Sequence, residues 1–260
     1  MADSKENSKE YKEDSSKEGS PKVSTPASSS SSKSSKEDLN KESSRERENG
    51  GRGGDDHEAC YTKGTLIATD KGERLIEDLV PGDLLLTISG EYVPLKWVGH
   101  RTVDCENHSK PTNAWPIRIA QGAFGNNLPK RDLYLSPLHS VYVDNIFIPV
   151  VDLVNDLTIT QEPTAEITYY HLELPAHNVI FAEGLAAESY LDDNNRGFFI
   201  GSDSDPVNLI AEFAEKKTSE AIWQQQGFAK VMRSGSPEVE KIKADLLTCA
   251  EELLNNKLAA

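Results

Sequence analysis

Between residues 60 and 200 the chain alternates short apolar runs with turn-forming residues. In CYTKGTLIATDKGERLIEDLVPGDLLLTISGEYVPLKWVGH the pattern predicts a strand over 65–69, a tight turn at Asp70-Lys71-Gly72-Glu73, and a returning strand over 74–76. Pro81-Gly82-Asp83 then turns the chain into LLLTI, Ser89-Gly90 turns it again, and a further strand is expected over 92–98. The segments TNAWPIRIAQGAF, RDLYLSPLHSVYV, IFIPVVDL and EITYYHLELPAHNVIFAEGLAAES each hold another β-rich run. Pro116, Pro137, Pro149 and Pro175 fall at the edges or interruptions of those runs, where a missing N–H is tolerated. Helical periodicity is weak here, so the expected fold is all-β and built of hairpins.

The two ends read differently. Residues 1–58 are Ser, Lys, Glu, Asp, Gly and Asn with almost no aliphatic or aromatic side chain. Such a stretch cannot bury enough apolar surface to offset about 1–2 kcal/mol of backbone entropy per residue, and it is expected to be disordered. After residue 200, PVNLIAEFAEKKTSEAIWQQQ and PEVEKIKADLLTCAEELLNNKL place apolar residues at three- and four-residue steps, beginning after Pro206 and Pro237. Two helices are expected in this extension, packing on the β body or on a second chain through Leu209, Phe213 and Trp223. The expected organisation is a tail (1–58), a β domain (59–200) and a helical extension (201–260).

Charge and cysteine content narrow the function classes. A net charge of -15 and a pI near 4.9 argue against a nucleic-acid footprint or an anionic-membrane surface, both of which need clustered Lys and Arg. Cys60, Cys105 and Cys249 are widely spaced and form no CxxC, so neither a disulfide framework nor structural zinc is expected. The N-terminus MADSKENSKEYKED has no apolar region of the kind a signal peptide carries, and no apolar run reaches a membrane span. A cytoplasmic location is the default expectation, with secretion independent of an N-terminal signal left open. No cofactor or metal is expected. His171 and His177, six apart across Pro175, make a poor metal pair, and Cys105 and His108 are expected in a polar surface loop.

Cys60 stands where the polar tail meets the first strand, and its thiol shares a residue with the peptide bond to Ala59. It can attack the Ala59 carbonyl in an N-to-S acyl shift, turning the amide into a thioester. That reaction needs a thiolate, a proton donor for the departing amine and a scaffold that holds the amide. A free thiol is only a few per cent ionised at neutral pH, so its surroundings must help. Histidine suits both proton transfers. His139 has the best context of the six, in Leu135-Ser136-Pro137-Leu138-His139, where a hydroxyl and an imidazole three residues apart end an apolar strand.

CYTKGTLIATDKGERLIEDLVPGDLLLT resembles the first block of Hint (Hedgehog/intein) domains, in which an N-terminal Cys precedes a Gly-Thr-x-Ile strand. LSPLHSV resembles their Thr-x-x-His block, with Ser136 in the Thr position, and YHLELPAHNVIFAEGLAAESY resembles the block that closes the fold. The likeness spans about residues 60–195 and is strongest to a bacterial subfamily. It implies a horseshoe-like β fold in which Cys60 is the nucleophile, His139 attends the scissile nitrogen and Ser136 orients or polarises the bond. His171 falls where many members carry an acidic residue that assists the shift. Glu188 and Ser189 occupy the places of the final His-Asn of inteins, so no side-chain amide is available to cyclise and splicing is not expected.

The expected function is therefore single-turnover self-cleavage at Ala59–Cys60. Its substrate would be the protein's own N-terminal segment, and water or a small nucleophile would resolve the thioester. The alternatives are a catalytically silent Hint fold serving as a structural or interaction module, and a cysteine hydrolase acting in trans through Cys60 and His139. The sequence names no protein partner.

Overall fold

In the computed structural model, the hairpin expected over residues 65–76 forms as β2 (Leu66–Thr69) and β3 (Gly72–Leu75), following β1 (Tyr61–Thr62). Gly72 at φ +92° supplies the left-handed turn residue. The returning strand stops one residue early: Ile76 still gives its N–H to Thr65 O at 2.8 Å but opens a 3₁₀ turn that buries its side chain. The run expected over 92–98 is two strands, β5 (Tyr92–Pro94) and β6 (Trp97–Asp104). Between them Leu95 gives its N–H to Asp83 O and Lys96 gives its N–H to Glu173 O, each at 2.7 Å, so the chain passes from the sheet of β5 to that of β6.

The structure describes residues 59–192, 196, 199–201 and 227–259. By its contacts the chain divides into Met1–Gly50 and Gly51–Ala260, and every described residue belongs to the second unit. The tail over 1–58 and the helix expected after Pro206, with Leu209, Phe213 and Trp223, lie outside the described residues.

The remaining strands are β4 (Leu84–Leu86), β7 (Ile117–Ile119), β8 (Leu133–Leu135), β9 (Ser140–Val143) and β10 (Ile146–Pro149). They are followed by β11 (Ile159–Gln161), β12 (Glu166–Glu173), β13 (Val179–Ala182), β14 (Leu185–Glu188) and β15 (Ile200–Gly201). Among the described residues they form two sheets, one in the order β11-β7-β8-β1-β12-β6-β15 and the other β10-β9-β14-β13-β2-β4-β5, with β3 on the side of β2. Antiparallel pairing throughout these ladders lets short turns connect them, as the all-β reading requires. One four-residue helix, α1 (Pro111–Ala114), interrupts the β body where no helix was expected, with Pro111 at its start.

The inward residues of both sheets merge into one apolar cluster, which includes Tyr61, Ile67, Leu85, Ile117, Leu135 and Ile180. The helix expected after Pro237 forms as α2 (Pro237–Ala259) and lays Val239, Ile242 and Leu246 on that cluster. Each of these side chains contributes roughly 1.5–3 kcal/mol by leaving water, which fastens the helix to the body. No helix among the described residues is long and apolar enough to cross a membrane.

Candidate active site

Strand register alone assembles the site. The short β1 sits between β8 and β12, with Tyr61 opposite Leu135 on one side and Tyr170 on the other. Both pairings are antiparallel, so the residue before Tyr61 lies opposite the residue after Leu135 and the residue after Tyr170. Those three residues are Cys60, Ser136 and His171. Ser136 gives its N–H to Cys60 O at 3.0 Å, which extends the β1–β8 ladder by one rung. His139 follows through a tight turn in which its own N–H bonds to Ser136 O at 3.0 Å, while Val150 and Val151 bond to the carbonyls of His139 and Pro137 and fix the turn. Cys60, Ser136, His139 and His171 are all buried, and Ala59 is half-buried.

Two atoms of Cys60 are held by different side chains. Its backbone N–H, on the bond to Ala59, donates to Ser136 Oγ at 2.7 Å. Its Sγ lies 3.0 Å from His171 Nε2. The His139 ring lies beside the backbone of Cys60 and Ala59, but neither ring nitrogen makes a full hydrogen bond. A buried polar ring left in this state costs about 1–3 kcal/mol, a cost associated with functional sites. Burial first, and the nearby His171 next, push the His139 pKa down to about 3, against the backbone of Cys60 and Ala59, which favours the protonated ring. His139 is thus neutral near pH 7. Tyr61 sets the ring edge-on at 4.2 Å between centroids and anchors its own hydroxyl on Glu188 O at 2.7 Å.

Glu188 and Ser189, at the end of β14, are both held by backbone N–H groups. Glu188 Oε1 accepts the Ser140 N–H at 2.5 Å, and Ser189 Oγ accepts the Asn178 N–H at 2.9 Å. Burial raises the Glu188 carboxyl to about 8, against the opposing bond from Ser140. His177 Nδ1 accepts the Phe228 N–H at 3.0 Å, so a neutral ring carries its proton on Nε2, 3.9 Å from Glu188 Oε2. Burial lowers the His177 pKa to about 4. His171 faces Cys60 and His177 faces Glu188, so the two histidines serve different neighbours.

Two features were not anticipated from the sequence. Cys105 is buried, not part of a surface excursion: its N–H bonds to Ala165 O at 2.8 Å and carries the β6–β12 ladder one residue into the polar segment. His108, further along, is half-buried. The ring cage around His171, formed by Tyr190 at 4.7 Å and Phe199 at 4.2 Å, was also missed, since aromatic residues near a chain exit carry no periodic signal.

A family model described as Hint domain matches residues 59–194. Among solved structures, the chain is similar to a DnaB intein from Synechocystis sp. PCC 6803, at 11% identity over 51% of this chain and 99% of that one, with a TM-score of 0.36. The gp41-1 intein matches at 14% identity over 50% and 97% of the two chains, with a TM-score of 0.37. The MchDnaB-1 intein matches at 13% identity over 50% and 99%, with a TM-score of 0.34. No curated protein matches.

Proposed function

Since the chain belongs to the Hint domain family, whose model spans residues 59–194, we propose that its β body cleaves the bond between Ala59 and Cys60 by an N-to-S acyl shift. The observation that carries this reading is the division of labour at Cys60, with the nitrogen on Ser136 at 2.7 Å and the sulfur on His171 at 3.0 Å. Nitrogen and nucleophile of one residue are thereby oriented separately, as an attack on the residue's own acyl group requires.

In the proposed reaction the thiol proton passes to His171 Nε2 and the sulfur attacks the Ala59 carbonyl carbon. The C–S bond forms, the C–N bond breaks, and the departing nitrogen takes up the proton that His171 received, becoming the α-amine of Cys60 while the imidazole returns to neutral. Ser136 holds that nitrogen, and His139, next to the backbone of Cys60 and Ala59, supplies an N–H for the negative charge that develops on the carbonyl oxygen. Water then attacks the thioester carbon, the C–S bond breaks, and the products are a segment ending in the Ala59 carboxylate and a body beginning at Cys60 with its thiol restored.

Splicing is not part of the proposal, because Glu188 and Ser189 supply no amide nitrogen able to cyclise and both are engaged by backbone N–H groups. The burial of Cys60, 1% exposed, disfavours a hydrolase acting in trans, which would have to bring a foreign peptide to the sulfur. The same burial is the observation that favours a catalytically silent module. Intact-mass analysis near pH 8, with and without a small thiol or hydroxylamine, decides between the two. Self-cleavage gives one fragment ending at Ala59 and one beginning at Cys60, and Cys60→Ala abolishes both. A chain that stays whole under every nucleophile establishes the silent module.

A further inference from the structure

Glu188 touches both of the elements that meet at Cys60. The turn with His139 runs into β9, in one sheet, whereas Cys60 precedes β1, in the other. β14 lies beside β9 with Ala187 opposite Val141, so Glu188 stands opposite Ser140, the residue after His139. Its Oε1 accepts the Ser140 N–H at 2.5 Å. Its backbone carbonyl accepts the Tyr61 hydroxyl at 2.7 Å, and the Tyr61 ring stands edge-on to that of His139 at 4.2 Å between centroids. Glu188 therefore reaches His139 twice, once through the backbone that follows it and once through the ring that packs on it.

The arrangement is withdrawn from water. Tyr61, His139 and Glu188 are each 1% exposed, and Ser140 is 2% exposed. An aliphatic side chain would fill the place of Glu188 without the cost of stripping a carboxyl of its hydration, so the buried carboxyl is accounted for by what it holds. Burial raises it to about 8, and near neutral pH it keeps its proton and grips the turn without bringing a charge into the core. A side-chain amide of the same length can do the same.

We infer that Glu188 is a positioning residue for the self-cleavage step: it fixes the His139 ring relative to the strand that carries Cys60, its carboxyl holding the turn and its carbonyl holding Tyr61. This rests on the self-cleavage reading above and names the residue that places His139 for it. No bond to Glu188 forms or breaks in the reaction, and its effect passes through the imidazole.

The test uses the full chain and two readouts. Release at Ala59 in excess hydroxylamine is followed by intact mass. Glu188→Leu is expected to slow release by about 10- to 100-fold, as a displaced reacting group should, while Glu188→Gln stays within about threefold of the wild type. In a chain that already carries His139→Ala, adding Glu188→Leu slows release by less than about twofold more, because the ring it would displace is gone. Ser189→Ala removes an exit hydrogen bond one residue further on, and it lowers stability to urea without slowing release. The second readout needs no cleavage. In full-length Cys60→Ala, the NMR resonances of the His139 ring shift when Glu188→Leu is added and stay close to their original positions with Glu188→Gln.

Equal slowing by Glu188→Leu with and without the His139 ring overturns the inference, since the loss then bypasses the imidazole. So do unmoved His139 resonances in a folded Glu188→Leu chain. Should Glu188→Leu fail to fold, Tyr61→Phe, which keeps the ring and removes only the hydroxyl bonded to Glu188, decides by the same cycle and the same spectrum, with a smaller loss expected. Absence of any release from the wild type defeats the self-cleavage reading alone, because the ring resonances still show whether Glu188 places His139.

Discussion

The entry to the β body and its exit touch, with Tyr61 Oη bonded to Glu188 O at 2.7 Å, and yet they are built to opposite ends. At the entry, Ser136, His139 and His171 converge on the backbone and sulfur of Cys60, and His139 keeps both ring nitrogens without a full hydrogen bond. At the exit, Glu188, Ser189 and His177 each take a hydrogen bond from a backbone N–H, of Ser140, Asn178 and Phe228. Glu188 Oε2 is likewise buried without a full hydrogen bond, so the contrast lies in what the groups face: at the entry the residue that would react, at the exit His177. The contrast is the physical basis for assigning chemistry to the entry and a structural role to the exit.

The sharpest way to break this comparison is to remove one imidazole from each end. His171→Ala is expected to slow release at Ala59 by about 10²–10⁴-fold, the usual range for a group that moves a proton in the transition state. His139→Ala should fall in the same range. His177→Phe, which keeps a ring against Phe147, is expected to leave the release rate within about twofold, since no developing charge faces it. Time courses by intact mass in excess hydroxylamine give all three rates. Equal losses at both ends would mean that the exit shares in the reaction, and the division drawn here would be abandoned.

A smaller effect sharpens the entry itself. Ser136→Ala removes the acceptor of the Cys60 N–H and leaves that donor buried. The cost of one such hydrogen bond, about 1–2 kcal/mol, corresponds to roughly a tenfold slower release if it is expressed in the transition state. Ser136→Thr keeps the hydroxyl and should recover most of the rate. A Ser136→Ala protein that melts several degrees lower but releases at the normal rate would show that the hydroxyl serves the turn alone.

Much of this was legible before any coordinates. The β2–β3 hairpin was written in Thr-Asp-Lys-Gly, because the turn demands a residue at positive φ, and α2 was written in the three- and four-residue spacing after Pro237. The Ser136–His139 pairing was visible for the same local reason, as the two are one turn apart. The meeting of Cys60 with His171 was not, since the partners are 111 residues apart and only the register of β1 against β12 brings them together. His171 came from the family likeness, and its period-two surroundings alone describe any buried strand residue. Cys105 was misjudged because polarity of the neighbours, Asp104, Glu106 and Asn107, outweighed a single extra rung of the ladder that turns the thiol inward.

The smallest expected effect concerns stability, and it tests whether the exit is truly a locked structure. Glu188 has its pKa raised to about 8 by burial, so between about 4.5 and 8 the folded chain holds a proton that the unfolded chain has lost. Stability then falls as pH rises through that window, by about 1.4 kcal/mol per unit. His139 and His177, lowered to about 3 and about 4, act in the opposite sense: the unfolded chain takes up their protons below about 6.5, and stability is lost as pH falls. Below pH 6.5 the two histidines outweigh the one carboxyl, and above it the carboxyl acts alone, so these three groups place maximum stability near pH 6.5. Glu188→Gln keeps an acceptor for the Ser140 N–H and removes the titration. Urea unfolding from pH 5 to 9 should show the wild type losing about 2 kcal/mol between pH 6.5 and 8 while Glu188→Gln stays level across that interval. If the variant follows the wild-type decline, Glu188 is ionised in the folded chain, the exit carries a buried charge of its own, and the claim that only the entry is chemically poised no longer stands.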